Sequence, residues 1–242
     1  MVLRREYLSL AGLRVDGRRS LEVRNITFSL GSISNADGSV TYSQGNTKLL
    51  VSVFGPKEAS RRRDVLHDTV SVKVEFGQSL FASGEKRERR RSDRFSTELS
   101  MQIKSIVQNQ VIASRYPKSE IVVSIQLLQS DGSVLAAAIN ATTLALIDAG
   151  IAINDFIVAC SGGFIGKDIL LDLTSQEESG PCLSVVLSFA PSESKCALAQ
   201  MNNRLPIDMF EDLYDALSNA CDVIHSQLSA SVKSFVLNMV RS

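Results

Sequence analysis

The sequence predicts an α+β fold in which mixed or antiparallel sheets pack around a buried central helix. Three observations predict it. Residues 121–150, IVVSIQLLQSDGSVLAAAINATTLALIDAG, pass from a β-branched and aliphatic run into a helical pattern that is apolar on almost every side. Residues 21–76 read as short strands separated by tight turns. The C-terminal stretch carries one continuous apolar stripe at helical spacing. With 242 residues and 44% hydrophobic content, the chain is long enough to bury a sizeable core.

In chain order, the first strand spans 21–30. Residues 36–39, ADGS, turn it into 40–43, and Gly45-Asn46 turns it again. The strand at 47–54 carries Leu49, Leu50, Val51 and Val53. The strand at 70–76, VSVKVEF, alternates strictly and puts Val70, Val72, Val74 and Phe76 on one face, so together these segments read as an antiparallel meander. Ser92 and Asp93 are placed to cap a helix whose apolar positions Phe95, Leu99, Ile103, Ile106 and Val107 run toward Tyr116-Pro117. A strand at 121–128, covered on both faces, ends at an Asp131-Gly132 turn. The central helix follows from Ser133 to Gly150, where a left-handed stop is cheap. Strands at 156–160, 169–173, 182–189 and 195–201 come next, the first two joined by a Gly162-Gly163 turn. In the last helix Asp208 and Glu211 form an acidic capping pair, and Phe210, Leu213, Tyr214, Leu217, Cys221, Ile224, Leu228 and Val232 form the stripe.

Lys and Arg number 26 and so do Asp and Glu, so any affinity for nucleic acid rests on local clustering. Two clusters flank the 70–76 strand. Residues 55–68, GPKEASRRRDVLHD, contain Arg61, Arg62 and Arg63, and in 84–94, GEKRERRRSDR, six Lys or Arg residues outnumber Glu85, Glu88 and Asp93. Adjacent basic loops can merge into a phosphate-binding patch. The first ten residues hold no apolar run fit for a signal peptide and nothing later approaches membrane-spanning length, so a soluble, intracellular protein with no membrane partner is expected. Cys160, Cys182, Cys196 and Cys221 are scattered, and His67 and His225 lie far apart, which argues against a zinc site and against a Ser-His or Cys-His hydrolase. The segment GGFIGKD at 162–168 fails as a P-loop, being one residue short and carrying Asp168 where Ser or Thr must meet magnesium. The helix start at Ser133 has two readings: an anion site built on unpaired N–H groups, or a plain N-cap with Asp131 satisfying the donors.

The segments LRVDGRRSLEVRNITFSLG, DGSVTYSQGNTKLLVSVFGPKE, LQSDGSVLAAAINATTLALIDAGI and LLDLTSQEESG resemble the RNase PH family, and within it the exosome ring subunits, over nearly the whole chain in order. The resemblance implies a single RNase PH-like domain over 1–242 with the ribosomal protein S5 domain 2-like fold. It also implies a six-membered ring around a channel that threads single-stranded RNA. The expected partners are other RNase PH-like exosome ring subunits and cap subunits, in the nucleus, nucleolus included, and the cytoplasm. Active members degrade RNA from the 3′ end with inorganic phosphate. That chemistry needs an anion site, a cation held by carboxylates and arginines that position RNA.

Set against the family's D-G-G-T-R, this chain has Asp131, Gly132, Ser133, Val134 and Leu135, which leaves Gly132 and Ser133 as a phosphate-binding vestige without the hydroxyl and the guanidinium. Against E-D-x-x-x-x-x-D it has Glu177-Glu178, with Glu178 on the first carboxylate position and Ser184 on the second; an adjacent gap puts Leu183 or Val185 there. Glu178 is therefore a vestigial catalytic candidate and no metal site is expected. Against D-R-R-S it has Asp93-Arg94-Phe95-Ser96, which keeps Arg94 and favours packing of Phe95 on the helix stripe over base stacking. Arg61, Arg62 and Arg63 match the channel-neck loop and with Arg94 are the RNA-binding candidates. The expectation is an inert ring subunit without cofactor. The alternative is an active phosphate-dependent 3′-to-5′ exoribonuclease that takes Mg2+ and inorganic phosphate and releases nucleoside diphosphates.

Overall fold

The computed structural model describes residues 7–9, 12–58, 69–83, 93–166, 168–192 and 195–241, with side chains through Asn238. The chain, read from sequence as one domain over 1–242, groups into two compact units, Arg24–Ile157 and Met1–Val23 together with Val158–Ser242.

In the Arg24–Ile157 unit, β1 (Ile26–Leu30), β2 (Gly38–Gln44) and β3 (Thr47–Glu58) form the expected antiparallel meander. Strand β4 (Ser71–Gln78) does not continue it. It pairs in parallel with β5 (Ser119–Gln129), which is antiparallel to β3, and the sheet order is β1-β2-β3-β5-β4. The reason lies in the connection, because α1 (Arg94–Gln110) sits between β4 and β5 and supplies the crossover that parallel neighbours require. Two boundaries also move. Residues 21–25 are not strand, and β3 runs past Phe54 to pair Lys57 with Glu120 and Glu58 with Ser119, so the segment read as a loop from Gly55 begins as strand. In β5, Ile121, Val123, Ile125 and Leu127 are fully buried while the residues between them are half-buried, so it is covered on one face rather than both.

Helix α1 buries Leu99, Ile103, Ile106 and Val107 and packs on β4. Asp93 stands at its N-cap without a side-chain capping bond, and Asp93 O accepts the first helical bond from Thr97 N–H and another from Thr97 Oγ1, each at 3.0 Å. Phe95 is 43% exposed and touches Phe76 only edge-on, with centroids 6.5 Å apart. This corrects the expected core packing. Positions 95, 99 and 103 are four apart on a helix of 3.6 residues per turn, so each step rotates about 40° and Phe95 is carried off the buried face.

Helix α2 (Val134–Asp148) buries every residue from Val134 to Leu146 and packs on β2 and β3. It stops as predicted, with Gly150 at φ 67° and Ile151 N–H donating to Leu146 O at 3.1 Å.

In the other unit, β6 (Val158–Ile165), β7 (Asp168–Leu171), β8 (Leu183–Ala190) and β9 (Lys195–Met201) form an antiparallel sheet of order β7-β6-β8-β9. Gly162-Gly163 is not a turn. Both lie inside β6, where a Cβ on Gly163 would sit 2.5 Å from Leu183 O and one on Gly162 would sit 3.0 Å from Leu217 Cδ2. These glycines let β8 and the last helix approach, and the turn comes at Gly166, φ 68°. The short helix α3 (Ser175–Glu178) has no counterpart in the sequence reading; Thr174 and Glu177 close it with a capping box. Helix α4 (Ile207–Arg241) has Asp208 in its first turn, buries Leu213, Leu217, Ala220, Cys221, Ile224 and Leu228, and packs on β6, β7 and β8. Among the described residues no helix is long and apolar enough to cross a membrane.

Candidate functional site

The loop between β5 and α2 is built by inward carbonyls. Gly132 and Ser133 both take left-handed backbone, φ 78° and φ 53°, which glycine adopts freely and serine only under constraint. The constraint comes from Arg24 and Thr47. Arg24 Nη1 donates to Asp131 O at 2.7 Å and to Thr47 Oγ1 at 3.3 Å, and Nη2 reaches Gly132 O at 3.5 Å. Thr47 Oγ1 donates to Gly132 O at 2.9 Å and accepts from Asp131 N–H at 3.1 Å. The Asp131 carboxylate accepts from Asn46 Nδ2 at 3.1 Å and lies 4.0 Å from Arg24. Ser133 stands at the N-cap of α2, 1% exposed, but its side chain makes no capping bond to the helix. Val134 and Leu135 are buried at the start of the helix.

The acid segment lies in the other unit and is held by the N-terminal residues. Arg14, 3% exposed, donates from Nε to Glu177 Oε1 at 2.8 Å, pairs through Nη2 with Glu177 Oε2, and donates to Leu171 O and Asp172 O. Glu177 Oε2 also accepts from Thr174 N–H at 2.8 Å. Arg18 donates to Asp172 O at 3.2 Å and pairs with Asp16. Burial raises the Asp16 carboxyl, but the hydrogen bonds and charge of Arg18 outweigh it and hold it below the usual carboxylate range. Leu8 packs on the cluster of Leu170, Leu173 and Cys182. Burial pushes the Cys182 thiol up to about 12, and the negative charges of Glu177 and Glu178 add to the effect.

Glu178 itself is exposed on α3. At the second carboxylate position Ser184 is half-buried in β8, and its Oγ accepts from Asn202 Nδ2 at 3.2 Å. Neither Leu183 nor Val185 offers an acid. One exposed carboxylate, one hydroxyl already hydrogen-bonded and one carboxylate paired with arginine do not fit a divalent cation, which needs several oxygen ligands turned to one point. Among the described residues no three His, Cys, Asp or Glu side chains gather as metal ligands.

Arg94 is exposed at the first residue of α1. Arg61, Arg62, Arg63, His67 and Ser92 lie outside the described residues. The sequence reading missed Arg24, Thr47 and Arg14; Arg14 stands between Leu13 and Val15, whereas Arg24 and Thr47 have polar neighbours in Asn25, Asn46 and Lys48 and carry no local signal.

Two family models match in tandem: the 3′ exoribonuclease family, domain 1, over residues 22–152, and domain 2 of the same family over 155–223. The chain belongs to the RNase PH family. Among curated RNase PH relatives, exosome complex component RRP41 of Mus musculus is 38% identical over 233 residues, covering 96% of this chain and 95% of that protein. The RRP41 homolog of Arabidopsis thaliana is 38% identical and covers 92% of each. The solved structure of rice Rrp46 superimposes with a TM-score of 0.79 at 23% identity, covering 90% of this chain and 99% of that one, which establishes the RNase PH fold.

Proposed function

We propose that the chain is a catalytically inert RNase PH-like ring subunit of an exosome that lines part of its RNA channel and holds its neighbours for 3′-to-5′ RNA processing and degradation. The observation that carries this reading is the 38% identity to an exosome complex component over 96% of the chain. Its partners are other RNase PH-like ring subunits, cap subunits and single-stranded RNA, and its place is the nucleus, nucleolus included, and the cytoplasm. Arg61, Arg62, Arg63 and Arg94 contact RNA phosphates in a sequence-independent, salt-sensitive way.

The inert reading is supported at both segments set against the family's motifs. Leu135 is 5% exposed in the first turn of α2, so the loop offers no guanidinium of its own at that position. In the acid segment Glu177 is bound by Arg14, and Glu178 has a hydroxyl, not a carboxylate, at its expected partner position. Without a second carboxylate at that position the segment offers neither a metal pair nor an acid-base pair. No cofactor belongs to this reading.

The test is phosphate-dependent release of nucleoside diphosphates from single-stranded RNA by the chain assembled with its ring neighbours, with no hydrolytic nuclease present. No release is expected. Release that disappears in Glu178→Gln would replace the inert reading with the active phosphorolytic one. Changing Arg61, Arg62 and Arg63 to Glu in the same assembly is expected to weaken RNA retention, and unchanged retention removes them from the channel.

A further inference from the structure

We draw no further inference here: the strongest candidate, the solvent-facing side of helix α4 on which Asp208, Glu211, Asp212, Asp215 and Asp222 are all exposed with no lysine or arginine between them, is a cluster of acidic residues with nothing among the described residues to show what it would bind.

Discussion

Arg14 commits its guanidinium to Glu177 and to the carbonyls of Leu171 and Asp172, and the side chains of the ion pair are 0% and 2% exposed. Removing one member strands the other charge in a desolvated place. Arg14→Met is therefore expected to cost about 3–5 kcal/mol, read as a shift of the urea midpoint, and adding Glu177→Gln is expected to recover much of that loss. An unaltered midpoint in Arg14→Met would show that Glu177 finds water instead. The buried thiols make a prediction about pH. Burial raises Cys182 and Cys221 from 9.0 to about 12, with Asp222 and Cys196 adding to the shift of Cys221. The folded chain thus keeps thiol protons that the unfolded chain releases. The resulting stability is fully present below pH 9 and is lost as pH rises toward 12, by up to about 1.4 kcal/mol per pH unit for each thiol. Replacing both with alanine should flatten that alkaline decline in urea unfolding; an equal decline would assign it to other groups. Residue identity made the departures from the family's motifs legible, since Val134, Leu135 and Ser184 stand in the sequence as they are. The burial of Arg14 and Arg24 was not legible, because an arginine goes inside only when distant carbonyls and carboxylates receive it.

At the scale of elements, periodicity located the strands and helices, and their neighbours decided the rest. Strand β4 alternates as a meander strand would, yet it lies parallel to β5 because α1 carries the chain across. Gly162 and Gly163 looked like a turn because glycine marks turns, whereas here they admit Leu183 and Leu217 to β6. Gly163→Ala should push β6 and β8 apart, since the added Cβ meets a backbone oxygen at 2.5 Å and Cys182 Sγ at 2.7 Å. The expected loss is about 1–3 kcal/mol, a fall of roughly 2–12 °C in Tm by calorimetry. A Tm within one degree of wild type, on the order of experimental error, would mean that the strands slide without strain.

For the molecule as a whole, two family models match in tandem and the chain groups into two compact units, one carrying the 131–133 loop and the other the acid segment. Helix α4 runs 35 residues, but beyond Leu228 no described side chain is buried. Ending the chain after Ala230 should therefore shift Tm by less than about 3 °C. A larger fall would show that the last turns hold the fold. The sequence by itself determined the fold class, the RNase PH family, the course of the central helix and the residues that stand at the family's motif positions, because hydrophobic period, glycine stops and residue identity are local properties of the chain. Only the tertiary structure decided the parallel placement of β4, the left-handed loop clasped by Arg24 and Thr47, and the Arg14–Glu177 bond. Each of these depends on groups far apart in sequence, whose desolvation and hydrogen bonding are settled only when the chain brings them together.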